Sequence, residues 1–157
     1  MEKIVGIGGI AVSDISGDLI KTYSLASCVA VTAYCQAKHT AGMIHVALPE
    51  HKKQKDWRSQ PPCYYATIGV PLLLQQMCIK FGCPIELLEI ELFGGADSVN
   101  QNDMFHIGTE NVKAVIEMLK QWNLSYLATE TGGINSRTLE LDVATGGKMI
   151  QLHPLII

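Results

Sequence analysis

Two side chains in the first third of this 157-residue chain have the types and the spacing of a nucleophile and its base. Cys28 opens the apolar run Cys28-Val-Ala-Val-Thr-Ala-Tyr-Cys35, and His45 lies inside a second run, Ala41 to Leu48. Both runs have strand length. The short polar connection from Gln36 to Thr40 makes a β-hairpin the economical reading. A turn at Gln36-Ala37 sets Cys28 directly across from His45, with their Cβ atoms about 4.5–5.5 Å apart on one face. A thiolate is the reactive form of cysteine, and a neighbouring imidazole can take its proton. The inference depends on register, because a slip of one residue sends the two side chains to opposite faces. Free buried cysteines are also common packing residues, so on geometry alone both readings stand.

The elements that must position this pair follow from periodicity. Residues 3–12 read as one strand and 19–23 as another, ahead of the hairpin. Residues 49–63, with Pro49, Pro61, Pro62, Trp57 and several charges, read as a long surface loop. Ala66, Val70, Leu73, Met77 and Phe81 recur at helical spacing, and Gly82 supplies a stop. Pro71 fits only a first helical turn, which predicts a start near residue 69 or 70. Ile85 to Phe93 alternates around Glu89 and Glu91 as a half-exposed strand with both carboxylates solvated. Val112, Val115, Ile116, Leu119 and Trp122 form the stripe of a second helix over 108–122. Three strands close the chain at 124–131, 137–144 and 148–153. The expected fold is a single α/β (α+β) domain over 1–157, a layered, mostly antiparallel β-sandwich with two main helices.

Composition narrows the function classes. Charged residues make up 17% and the net charge is −3, so no basic surface for nucleic acid is expected. The densest basic stretch, His51-Lys52-Lys53-Gln54-Lys55, is short, precedes Asp56 and reads as solvated loop. No apolar segment is long enough to insert in a membrane, and the glycine-rich start resembles a buried strand more than a signal peptide. The five cysteines form no C-x-x-C pair and the five histidines no H-E-x-x-H. Neither a disulfide framework nor a metal site is expected, and no cofactor is implied. Gly8-Gly9 and Gly94-Gly95 lack the surroundings of a phosphate-binding loop and read as turns. A cytoplasmic setting is expected.

The order of short motifs adds a resemblance. Thr22-Tyr-Ser-Leu-Ala-Ser27-Cys28-Val-Ala-Val resembles the active-site segment of the chemoreceptor glutamine deamidase family, CheD, in which a Thr precedes L-G-S-C-V at the same separation. Ile44-His45-Val-Ala-Leu48-Pro49 is similar to that family's H-x-x-L-P segment. Further matches follow in order: Gly6 to Val12, Phe93-Gly-Gly-Ala96, Ile107-Gly-x-x-Asn111-Val112, Glu130-Thr-Gly-Gly133 with Arg137, and Thr145-Gly146. The resemblance spans nearly the whole chain.

What the resemblance implies is a layered sandwich also seen in deamidating bacterial toxins, with Cys28, His45 and Thr22 as the catalytic trio. It implies hydrolysis of glutamine side chains on chemoreceptor cytoplasmic helices to glutamate, with action on receptor glutamyl methyl esters, and binding of a CheC-type phosphatase. Thr22 would fix the imidazole, and backbone N–H groups near Ser27 and Cys28 would hold the oxyanion. The chain departs from the family pattern at Ala26 and Ser24 (usually glycines), Thr67 (Asp), Glu110 (often Arg) and Ile134 (often Asn). These departures keep a rival in view: a non-catalytic chemotaxis interaction module that docks to receptors or the phosphatase.

Overall fold

A computed structural model describes residues 1–52, 54–97 and 106–155 of the chain. Along it run β1 (Glu2–Ile4), β2 (Ile10–Ser13), β3 (Leu19–Leu25), β4 (Val29–Cys35), β5 (Thr40–Val46), α1 (Ala66–Gln75), β6 (Glu89–Gly94), α2 (Ile107–Gln121), β7 (Leu127–Thr131), β8 (Asn135–Asp142) and β9 (Lys148–Pro154). Nine strands form two sheets among the described residues. The central sheet has the order β2-β5-β4-β6-β7 and the outer one β1-β3-β8-β9. Pairing is mostly antiparallel, with β1–β3 and β6–β7 parallel. The expected layered sandwich with two main helices is the observed one.

The layers follow from the alternation of side chains along a strand. Every residue of β4 and β5 is buried. Val29, Val31, Ile44 and Val46 face α1 and α2, where Leu73, Met77, Val115 and Leu119 complete one core. Ala30, Tyr34, Ala41 and Met43 face the outer sheet, where Ile20, Leu25, Leu139 and Leu141 complete a second. A strand buried on both faces reads as an unbroken apolar run, which is how these two appear in the sequence.

Several boundaries differ from the sequence reading. Residues 3–12 are two strands in different sheets, because a turn at residues 7–8, with Gly8 at φ +79°, lifts the chain from one sheet to the other. Helix α1 begins at Ala66 with Pro71 inside it. Its first N–H groups are satisfied from outside, Ala66 N donating to Leu48 O and Thr67 N to Pro49 O. Pro71 is the sixth residue of this helix, which continues as a π turn over Gln76–Lys80. Glu91 is not solvated: it points between the sheets and meets Lys148 Nζ at 3.0 Å. Glu89 is exposed. Trp122 lies just past the end of α2 and is 50% exposed, so the buried stripe is Gly108, Asn111, Val115 and Leu119. Lys53 of the basic stretch lies outside the described residues. No described helix is long and apolar enough to cross a membrane.

The start of α2 sits directly on the end of β6. A Cβ on Gly108 would lie 2.3 Å from Ala96 O and 2.5 Å from Gly95 O. Helix propensity alone favours alanine over glycine by about 1 kcal/mol. Here contact reverses the sign. Gly108→Ala is expected to lower stability by roughly 2 kcal/mol or more, through forced separation of helix and strand end. Urea denaturation checks this, and unchanged or increased stability would contradict the packing described.

Candidate active site

The hairpin that carries Cys28 and His45 forms, with a wider turn than expected. A 3-10 turn over Gln36–Lys38 and a left-handed His39 (φ +46°) join the strands, and Cys35 pairs with Thr40. The ladder therefore sets Ala30, not Cys28, across from His45. The difference from the sequence reading is two positions along β4, an even number. Cys28 accordingly stays on the His45 face and packs at the edge of the inter-sheet core. The two side chains are diagonal neighbours rather than directly opposed.

His45 is 1% exposed and reaches across to the outer sheet. Its Nδ1 lies 2.7 Å from Thr22 Oγ1, and Thr22 Oγ1 lies 2.7 Å from Val5 O. A carbonyl oxygen only accepts, so the single Thr22 hydroxyl proton goes to Val5. The hydroxyl must then accept from His45 Nδ1–H. That assignment places the proton on Nδ1 and leaves the lone pair on Nε2. Nε2 is buried and has no hydrogen-bond partner among the described residues. The backbone of His45 is fixed as well, Gly8 N donating to His45 O at 2.8 Å and His45 N to Gly9 O at 3.3 Å.

The segment before Cys28 is held by its carbonyls. Ala96 N donates to Ala26 O at 2.7 Å, Gly95 N to Cys28 O at 2.8 Å, and Asn111 Nδ2 to Ser27 O at 2.9 Å. Gly94 permits this approach: its φ is +102° and a Cβ there would lie 2.3 Å from Cys28 O. Ser27 is partly buried and its carbonyl faces α2 through Asn111. Next to this segment, Arg137 is 2% exposed and donates from Nη2 to Gly132 O at 2.7 Å and to Glu130 at 3.3 Å. Gly132 N in turn donates to Gly94 O at 2.8 Å.

Thus Thr22 of β3 and His45 of β5 meet across the inter-sheet space, and Cys28, at the entry to β4, lies on the same face of the central sheet as His45. Ser27 sits beside them. The sequence motifs contained Asn111 and Arg137 without giving either a role. The signal for Asn111 was an amide in the buried stripe of α2, where the other members are Gly108, Val115 and Leu119. Val5 was legible only as a strand residue, since backbone carbonyls carry no sequence signal.

Burial sets the resting charge state. It pushes the Cys28 thiol up to about 11 and the His45 imidazole down to about 4. At neutral pH the pair is thiol and neutral imidazole. A histidine whose folded pKa lies below its ordinary 6.5 makes the unfolded state bind more protons between the two values. The full contribution is present above about pH 6.5 and is withdrawn as pH falls towards 4. Between pH 7 and pH 5 the chain is expected to lose roughly 2 kcal/mol more stability than a His45→Leu variant does. Paired urea titrations of the two proteins measure this, and equal losses would mean that His45 stays protonatable in the fold.

The family model described as CheD chemotactic sensory transduction matches residues 47–152, starting just after His45. Whole-chain relatives extend the match across the site. The probable chemoreceptor glutamine deamidase CheD of Syntrophotalea carbinolica is 43% identical over 147 residues, covering 92% of this chain and 90% of the relative. The corresponding protein of Thermococcus kodakarensis is 38% identical, covering 93% and 89%. The chemoreceptor glutamine deamidase CheD of Thermotoga maritima is 35% identical over 151 residues, covering 96% and 92%. With its motifs in order and two thirds of its length under the family model, the chain belongs to the CheD family.

Proposed function

We propose that this chain is a protein-glutamine deamidase of bacterial chemotaxis, converting glutamine side chains of chemoreceptors to glutamate with Cys28 as nucleophile and His45 as base. Relatives named chemoreceptor glutamine deamidase, aligned over more than nine-tenths of the chain, support the reaction. The observation that carries the residue assignment is the chain of two 2.7 Å hydrogen bonds, His45 to Thr22 to Val5. It leaves an unprotonated, buried Nε2 on the face of the sheet that also carries Cys28.

The reaction then runs as two transfers. His45 Nε2 takes the Cys28 proton as sulfur attacks the carboxamide carbon, forming a carbon–sulfur bond and an oxyanion. With the carbonyls of residues 26–28 bonded to Gly95, Ala96 and Asn111, the N–H groups of Ser27 and Cys28 are the donors proposed for that oxyanion. The carbon–nitrogen bond breaks, the imidazolium returns its proton to the leaving nitrogen, and ammonia departs from a thioester. Water, deprotonated by the same imidazole, cleaves the thioester to glutamate and restores the thiol. Because the resting pair is neutral, proton transfer and attack are coupled. Desolvation by the substrate raises no standing charge in the site.

Thr22 holds the ring and its tautomer, the task a carboxylate performs in other triads. A glutamyl methyl ester would form the same thioester with methanol leaving, so receptor methylesterase activity needs no second site. The reading carries receptor cytoplasmic helices as substrate, a cytoplasmic location and a CheC-type phosphatase as a further partner.

Two measurements test the proposal. Co-expression with a chemoreceptor cytoplasmic segment, followed by peptide mass spectrometry, is expected to show glutamine-to-glutamate conversion with the wild type and none with Cys28→Ala. Conversion by a folded Cys28→Ala variant would remove the cysteine mechanism; receptor binding without conversion by the wild type would establish an interaction module instead. Thr22→Val, which keeps the shape and removes the hydroxyl, is expected to lower kcat for ammonia release by roughly tenfold to a hundredfold with KM little changed. An unaltered kcat would mean that the imidazole is oriented by something else.

A further inference from the structure

The ladder between β4 and β5 ends at Val29 and Val46, one residue short of Cys28. Beyond that pair the two chains present carbonyls to the same point, Ser27 O from one and Ala47 O from the other. Two acceptors cannot bond each other. The side chain of Asn111, on α2, closes the gap: Nδ2 donates to Ser27 O at 2.9 Å and to Ala47 O at 3.0 Å. Ser27 immediately precedes the nucleophile, and Ala47 follows the base by two residues. One amide nitrogen therefore spans the segments that carry Cys28 and His45, as an extra rung where the backbone ladder has stopped.

Both NH2 protons are used, and Oδ1 remains buried without a partner among the described residues. Asn111 itself is fully buried. An apolar residue here would spare Oδ1 but leave both Ser27 O and Ala47 O without this donor, so the two carbonyls account for an amide in the buried stripe of α2. The arrangement fixes the distance between two strands where the backbone ladder cannot. The other anchors of the nucleophile segment, Gly95 N and Ala96 N, are backbone groups just past the end of β6, and their hydrogen bonds go to Cys28 O and Ala26 O rather than to the His45 strand.

Resting on the deamidase reading above, we propose that Asn111 is a positioning residue for the Cys28–His45 pair, acting through the backbone by clamping the open end of the β4–β5 hairpin. It touches neither sulfur nor imidazole, since it lies on the helix side of the central sheet and both of those lie on the inter-sheet side. Its effect is on the separation of the two segments, hence on how readily Cys28 gives its proton to Nε2 when substrate arrives.

The test uses the full chain and two variants. Asn111→Leu keeps the branching and the number of heavy atoms and removes all polar atoms; Asn111→Ala removes the donor without crowding, and carries the test if the leucine variant does not unfold cooperatively on heating. For a folded variant, kcat for ammonia release from the receptor segment is expected to fall roughly 10- to 100-fold with KM within about twofold of wild type. Cys28 alkylation by iodoacetamide, followed by peptide mass spectrometry, is expected to slow by about tenfold. In a His45→Ala background the same substitution is expected to change alkylation by less than about twofold, because the pairing it serves is already gone. A folded variant with wild-type kcat would overturn the proposal. So would equal slowing of alkylation in both backgrounds, which would mean that Asn111 acts on the loop and not on the pair. A wild type that releases no ammonia sinks the deamidase reading alone, and the alkylation cycle still decides the role of Asn111.

Discussion

The structure depends on burying β4 and β5 on both faces at once. Their fourteen residues are all buried, and a strand pair of that kind is stable only when each face meets its own apolar layer. Helices α1 and α2 cover one face and the β1-β3-β8-β9 sheet the other. Everything polar in the site has to be reconciled with that demand. His45 occupies a core position on β5, and Thr22 a core position on β3, because each satisfies the other across the gap between sheets. The rest of the hydrogen-bonding capacity is passed to the backbone, at Val5.

The same burial explains why the site lies at the end of the strands. A thiol in the middle of β4 on this face would be sealed between layers as Ala30 and Thr32 are, both fully buried. At the entry to β4 the ladder has just ended, the outer-sheet partner strand β3 has a register shift between Thr22 and Leu25, and Cys28 is only partly buried. Ser24 in that shift has φ +55°, a left-handed conformation that glycine adopts without penalty. The departure from the family's usual glycine at this position thus falls on the backbone turn that leads into the nucleophile segment.

Much of this was legible in the sequence, and the reasons for the remainder are specific. The apolar runs of β4 and β5 gave the hairpin, and their parity put Cys28 and His45 on one face. Turn length is a weaker signal. Gln36-Ala37 looked like a two-residue connection, while the chain uses a 3-10 turn that consumes two more residues. The resulting shift was even, so the shared face survived and only the direct opposition was lost. Pro71 misled in the other direction, since the start of α1 is set by carbonyls of Leu48 and Pro49 that no local pattern announces. Glu91 was read from alternation alone; its neighbour Lys148 is far away in sequence and arrives only through the packing of two sheets. Asn111 appeared in the sequence only as part of a motif beside the stripe that begins at Val112, and its two partners lie in segments brought together by tertiary structure.

The hydroxyl of Thr22 is neutral, and that sets how an idle molecule behaves. A carboxylate in its place would favour the imidazolium and, with it, an ionised sulfur. Such a sulfur meets every electrophile and oxidant that diffuses past, whether or not substrate is near. With a threonine relay the proposed nucleophile stays capped by its own proton between turnovers. Dormancy then comes from burial, with no carboxylate beside the imidazole to oppose it, and the sulfur is kept intact between encounters with substrate.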